Sequence, residues 1–162
     1  MRHVSLSLVA LTAMSAAPVH AEPTYPGNAC LANEGNITSV QRGFGDAGNN
    51  SVTRVRFHCP VTQHRVGGPR RFITGATAQV VDRTTSDEVE CLLISHSKAG
   101  SVTSFARAGS GIAFANDVAE ELAFGRIELN RSGFIAFVCD VPGRTPAGEL
   151  SGVVTYSIPE SF

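Results

Sequence analysis

The 162-residue chain contains no tryptophan, two tyrosines and only 7% aromatic residues in all. Sugar-binding sandwiches usually stack sugar rings on exposed aromatic side chains, so this scarcity disfavours carbohydrate binding without excluding it. An excess of charge of one sign is also lacking, because 13 Lys and Arg face 14 Asp and Glu, for a formal net charge of −1. Without a cationic excess, the sequence argues against a nucleic-acid partner. No stretch is long and apolar enough for a membrane span of about 20 residues, so we expect no such span.

The N-terminus has the layout of a secretory signal peptide. Arg2 lies in a short polar start, residues 4–17 are mostly apolar, and Val19 and Ala21 place small residues where a signal peptidase reads them. We predict that residues 1–21 are removed after Ala21, which leaves a net charge of −2 because Arg2 is lost. The alternative is a buried N-terminal helix. The signal interpretation predicts a bacterial protein that is periplasmic or secreted.

Export determines how the four cysteines are interpreted, because an oxidising compartment favours disulfides. No two cysteines lie two to four residues apart, the spacing that structural zinc sites usually require. We therefore predict two disulfides, Cys30–Cys59 and Cys91–Cys139, in which each pair joins neighbouring segments of the chain. In the loop-entropy model the first contributes ~3.6 kcal/mol and the second ~4.1 kcal/mol, both as upper values.

Period-two alternation of apolar and polar residues runs through the chain. It covers residues 53–59, 89–93 and 154–158, each of which indicates a half-buried antiparallel strand. Residues 133–140 are apolar on both faces, which is typical of a central strand. Further strands are predicted at 37–42, 73–82, 101–106, 111–115 and 125–129.

Glycine, proline and asparagine clusters separate these segments, as turns require. About eight or nine short strands with regular breaks predict an all-β fold, a single antiparallel β-sandwich of jelly-roll type over residues 30–162. Residues 22–29, with two prolines, are predicted as a loose N-terminal lead. Residues 116–122 are compatible with either a short helix or an irregular crossover.

Few residues are candidates for catalysis. No G-x-S-x-G motif occurs, and the cysteines are committed to disulfides. A hydrolase or metal-dependent enzyme on this scaffold would use His64 or His96 with Asp82, Asp87 or Glu88. The acids 82–90 also have the oxygen ligands that Ca²⁺ prefers, but their composition is typical of an exposed loop followed by the polar face of a strand.

A non-enzymatic role fits the sequence better than an enzymatic one. Arg54, Arg56 and His58 share the polar face of one predicted strand and form the best candidate for a surface patch. His58 and His64 lie six residues apart and would hold a metal only if a turn brought them together. We expect no cofactor and no metal. The expected partner is an envelope protein, a glycan or a second copy of the chain, and an open sheet edge is one way to join copies.

From Cys59 onward the chain resembles a loose group of uncharacterised exported proteins of Gram-negative bacteria. The matching segments are Cys59-Pro60-Val61, residues 75–82 running towards Cys91, Leu122-Ala123-Phe124-Gly125, Phe137-Val138-Cys139 with Val141-Pro142, and residues 152–158. This chain has Phe134 and Phe137 where that group tends to place a tyrosine pair. The resemblance implies a disulfide-stapled β-sandwich with no assigned activity, and supports the pairing of Cys91 with Cys139. It identifies no functional residue.

Overall fold

A computed structural model describes residues 23–33, 40–42, 46–61, 72–111, 118–130 and 132–159. Within these ranges the chain is all-β, with one 3-10 turn at Gly27–Ala29 and antiparallel pairing between every two neighbouring strands. The strands are β1 Thr24–Pro26, β2 Leu31–Ala32, β3 Val40–Arg42, β4 Ala47–Asn49, β5 Val55–Cys59, β6 Phe72–Ile73, β7 Thr77–Val81, β8 Glu90–His96, β9 Val102–Gly109, β10 Glu120–Ala123, β11 Ile127–Glu128, β12 Phe134–Val141 and β13 Gly152–Ser157. In the part of the chain that is described, no helix is long and apolar enough to cross a membrane.

Eight of these strands form a jelly roll of two packed sheets. One sheet has the order β10-β7-β13-β4-β3, with β1 also paired to β13, and the other has the order β2-β5-β12-β8-β9. The chain alternates between the sheets from β4 to β13 and stays in one sheet only for the β8–β9 hairpin and the short extensions. The predicted fold is therefore confirmed. The strand count is higher than predicted because β1, β2, β3, β6 and β11 are short additions to the eight.

The core lies between the two sheets, where the alternating side chains meet. Phe57, Leu93 and Phe137 point inward from the five-stranded sheet, and Val80 and Tyr156 point inward from the other. The ring of Phe137 stacks on that of Tyr156 with 5.0 Å between centroids, which joins the sheets directly. Each such side chain contributes about 1.5–3 kcal/mol when fully buried, so the core holds the two sheets in a fixed relation.

The segment 73–82, predicted as one strand, is interrupted by a bend. Gly75 has φ +78°, a left-handed conformation that glycine adopts without strain, and it separates β6 from β7. The antiparallel pairing nevertheless continues across the bend without a shift. Val80 faces Glu120 on one side of the bend and Ile73 faces Ile127 on the other, as one unbroken register requires. The β6–β11 ribbon is thus the end of the β7–β10 ladder.

Two further expectations need correction. The alternation predicted for residues 154–158 is broken by a bulge between Val153 and Thr155, so Val153 rather than Val154 is buried with Tyr156. The short helix considered for residues 116–122 is not formed over the part described, because Glu120–Ala123 pairs with β7 as a strand. Most of the strand predicted at 111–115 lies outside the described residues, as does the predicted signal peptide at 1–21.

The N-terminal lead is packed rather than loose from residue 24 onward. β1 pairs with β13, and the ring of Tyr25 stacks on that of Tyr156 with 5.1 Å between centroids. Gly27 is buried against β13 so closely that a Cβ there would lie 1.9 Å from the carbonyl oxygen of Val153. The two prolines suggested a loose segment, but aromatic stacking and close backbone contact hold it in place.

Both disulfides join the pairs that the sequence predicts, Cys30–Cys59 and Cys91–Cys139. All four cysteines are buried. Cys91 and Cys139 face each other directly across β8 and β12, and Cys30 precedes β2, which pairs with the strand that ends at Cys59. Both bonds therefore lie within the five-stranded sheet, each between neighbouring strands.

Candidate functional site

The outer face of the five-stranded sheet carries most of the residues singled out from the sequence. Paired residues of an antiparallel sheet point to the same side, so the register orders this face in rows. Arg56, Asp140 and Glu90 form the first row. The next rows contain His58, Val138, Leu92 and Arg107, then Ala136, Ile94 and Phe105, then Phe134, His96 and Val102. The face is charged at one end and apolar at the other.

The charged end is a network of ion pairs. Arg56 binds Asp140 through two hydrogen bonds of 2.7 Å each, the parallel geometry that suits guanidinium and carboxylate. Arg107 contacts Glu90 and lies 3.9 Å from Glu88. Exposed pairs of this kind stabilise a fold by about 0–1 kcal/mol each, so their main effect is to balance charge across four strands.

Arg54, the residue before the start of β5, extends this network. Its Nε donates to Asp87 Oδ2 at 3.1 Å and its guanidinium also donates to the backbone carbonyls of Glu88 and Asp140. The hydrogen bond from Arg54 lowers the pKa of the Asp87 carboxyl below its ordinary value, although partial burial opposes this effect. Arg54 therefore connects β5 to the loop that precedes β8.

Arg54, Arg56 and His58 lie along one face, as the sequence suggests, but they do not form a free cationic surface. Both guanidinium groups are neutralised by carboxylates, that of Arg54 by Asp87 in the loop before β8 and that of Arg56 by Asp140 on β12. His58 is exposed and its row neighbours are Val138 and Leu31, both apolar side chains. The three residues are better described as the charged border of the sheet face than as an anion-binding site.

The apolar end of the face contains the side chains that the sequence did not single out. We name Ile94, Val102, Phe105, Phe134 and Ala136 the apolar patch. Phe105 is 63% exposed, Val102 56% and Phe134 48%, although large apolar residues are usually buried. His96 stacks on Phe134 with 4.6 Å between ring centroids and closes the patch at its far end.

The sequence contained a signal for this patch. In β9 the small Ala106 and Ala108 point inward, and the larger Phe105 and Arg107 fall on the opposite face. The larger side chains of this strand thus lie on the outer face of the sheet. Residues 133–140 were predicted as a central strand, and β12 is central, but Phe134 on its outer side remains exposed.

The residues proposed for an enzymatic site are not brought together where the structure describes them. His96 ends β8, whereas Glu88 precedes the start of that strand. At about 3.3 Å per residue the eight positions between them span about 26 Å. The Nδ1 of His96 is 3.0 Å from the carbonyl oxygen of Gly100, and Asp87 is held by Arg54. His64 lies outside the described residues.

Asp82 is buried, not in an exposed loop, and its carboxylate is fully used by hydrogen bonds. Oδ2 accepts from Ser110 Oγ at 2.6 Å and from the Val89 N–H at 3.2 Å. Oδ1 accepts from Ser151 Oγ at 3.2 Å and from both the N–H and the hydroxyl of Thr84 at 3.0 Å. These groups belong to the ends of β7, β8, β9 and β13, so Asp82 joins the two sheets, and its burial at 3% exposure separates it from the surface.

Two observations on the described part of the chain bear on small ligands. No group of three or more His, Cys, Asp and Glu residues there is arranged to hold a metal ion. A cavity of about 130 Å³ lies on the opposite sheet, lined in part by Gln41, Asp46 and Arg83. Small-molecule sites usually measure about 300–1,000 Å³, so this cavity is small for a metabolite.

Comparison with known proteins adds no assignment. No protein-family model matches the chain, and no curated protein matches it. The chemistry of its own surfaces is therefore the basis for a functional conclusion.

Proposed function

We propose that this protein is an exported, non-enzymatic binding protein that contacts another envelope protein through the apolar patch. The observation that carries the proposal is the exposure of both Phe105 and Phe134 on one sheet face, on the two strands that flank β8. Contiguous exposed apolar surface of this kind commonly marks an interaction site.

The arrangement around the patch supports a protein as the partner rather than a glycan. Protein interfaces combine an apolar, aromatic centre with a polar rim. The patch is apolar and aromatic. Arg107 lies in the neighbouring row, and the ion pair of Arg56 lies in the row beyond it. No tryptophan is present to stack a sugar ring, and the ring of Phe134 is already covered on one side by His96.

Two features support export. Disulfides form and persist mainly in oxidising compartments, and this fold holds two buried ones. The N-terminal residues have the pattern of a signal peptide. N-terminal sequencing of the protein recovered from the periplasm or the medium should begin at Glu22. An N-terminus at Met1 on protein confined to the cytoplasm would contradict export.

Site-specific photo-crosslinking in the producing cell tests the binding proposal. A photoreactive amino acid in place of Phe134 should give one dominant adduct to an envelope protein, identified by mass spectrometry. The same probe in place of Glu121, which is exposed on the other sheet, is the matched control and should not give it. The substitution Phe105→Ser should reduce the adduct formed at position 134. Equal adducts from positions 121 and 134, or none from position 134, would refute the patch as the binding surface.

A further inference from the structure

The five-stranded sheet ends on one side in β9, the longest edge strand in the described structure. The other edge strands have two to four residues, namely β2, β3 and β10, and β10 carries two glutamates. β9 has eight residues, no proline, no lysine and one charged side chain, Arg107. Proteins normally protect edges with short strands, prolines or lysines, because an open edge pairs with other strands. β9 lacks most of this protection.

The hydrogen-bonding phase of β9 shows which backbone groups are open. Successive residues of an antiparallel strand alternate. One turns its N–H and C=O towards a given neighbouring strand, and the next turns them away from that strand. The Ser110 N–H donates to the Val89 carbonyl, which sets the phase. Ala106 and Ala108 therefore bond to β8, and Phe105, Arg107 and Gly109 present their N–H and C=O groups outward. No described residue pairs with β9 on that side.

The neighbouring ribbon does not cover these groups. β11 reaches β9 through a hydrogen bond from the Glu128 N–H to Ser104 Oγ. Ser104 is in phase with Ala106, so its side chain lies on the inner face of the sheet. The contact of β11 with β9 is therefore made from inside the sandwich, and no strand of the described ranges pairs with the outward groups of Phe105 and Arg107.

We propose that the open edge of β9 pairs antiparallel with the β9 edge of a second copy, around a twofold axis at Ala106. The inference deepens the proposed binding function and rests on it, since it names a second copy as one protein partner of this sheet. The outer faces of the two sheets then become one continuous ten-stranded surface.

Chemistry at the edge selects this register. Only outward-facing residues can exchange backbone bonds, and an axis near the middle of β9, at residue 105, 106 or 107, overlaps the two strands most. An axis at Arg107 opposes two guanidinium groups, and like charges directly opposite each other are destabilising. An axis at Phe105 requires backbone bonds at Thr103, where the β8–β9 register is irregular. With an axis at Ala106, Phe105 of each copy faces Arg107 of the other, which allows a cation–π contact. These two pairs use only backbone whose register with β8 is regular.

Cysteine substitution distinguishes this register from the others. Ala106 and Ala108 are both half-buried alanines on the inner face of β9. In the proposed register position 106 faces itself across the axis, whereas position 108 faces position 104. Mild oxidation of Ala106→Cys should give a covalent dimer on non-reducing gels, and Ala108→Cys should stay monomeric. Peptide mapping should show the native disulfides unchanged in both.

A second pair of variants tests the backbone contact itself. Proline is tolerated where the N–H of an edge strand points outward, so Arg107→Pro should keep the fold and block the new ladder. Arg107→Ala keeps that N–H and is the control. Sedimentation over a wide concentration range should show a dimer for the unmodified protein and for Arg107→Ala, and a monomer for Arg107→Pro. Circular dichroism checks that both variants are folded.

Three results would overturn the inference. These are a monomer at every concentration, a dimer that Arg107→Pro leaves intact, and a dimer in which Ala106→Cys does not cross-link. None of them affects the crosslinks expected from position 134 to a different protein. The proposed binding function and its deepening to a second copy can therefore fail separately.

Discussion

The substitution Asp82→Asn tests whether the buried carboxylate holds the two sheets together. Asp82 is only 3% exposed, and its two oxygens accept hydrogen bonds from Thr84, Val89, Ser110 and Ser151. Asparagine has the same shape but replaces one acceptor oxygen by an NH₂ donor. Whichever way the amide turns, a donor then faces the backbone N–H of either Thr84 or Val89.

The expected cost follows from the bonds that change. Hydrogen bonds to a charged group contribute about 1.5–3 kcal/mol each and neutral ones about 0.5–1.5 kcal/mol. Several bonds weaken and one is lost, while the smaller desolvation penalty of the neutral side chain offsets part of this. We expect a loss of about 3 kcal/mol, a large share of the roughly 5–15 kcal/mol that keeps a typical domain folded.

Urea denaturation of the protein with both disulfides intact measures this loss. With a denaturant slope of about 1–3 kcal/mol per molar urea, the midpoint should fall by about 1–3 M. Asp87→Asn is the matched control, because the Asp87 side chain is 46% exposed and its partners, Arg54 and the N–H of Glu88, lie at the surface. It should cost less than about 1 kcal/mol. Equal midpoint shifts for the two variants would refute the structural role assigned to Asp82.

Three other outcomes are expected. Burial raises the pKa of Tyr156 above its ordinary value near 10. Stability should therefore be complete below about pH 10 and fall above it, and Tyr156→Phe should lessen that fall in urea midpoints measured against pH. Gly27→Ala should lower the melting temperature through backbone overlap costing about 1–3 kcal/mol, and Gly125→Ala, with no neighbour within 4 Å, should not. Replacing Cys91 and Cys139 together by serine should cost up to ~4.1 kcal/mol in urea unfolding. Unchanged midpoints would contradict each expectation.

Local pattern was sufficient to predict the long strands. β5, β8 and β12 are the segments where alternation or a continuous apolar run is strongest, and each lies where the sequence predicts it. The disulfide partners were also predictable, because neighbouring segments of the chain became neighbouring strands.

Contacts between distant segments were not predictable in the same way. Asp82 has the composition of an exposed loop around it, and only Ser110 and Ser151 from other strands make it a buried acid. The pairing of Arg56 with Asp140 depends on the register of β5 against β12, which no local pattern encodes. The exposure of Phe105 and Phe134 likewise depends on which face of the sheet is left uncovered.

The position of β13 in its sheet determines when the fold can be completed. β13 is the shared neighbour of β1, β4 and β7. The pairing of these three strands with β13 therefore cannot form until this later part of the chain is present. Thr24 pairs with Ser157, and such non-local pairing slows folding because a long loop must close first. A chain that emerges N-terminus first can pair β5, β8, β9 and β12 before β13 appears. It cannot complete the sheet that contains β13. The topology thus delays the completed native state until nearly all of the described chain has emerged.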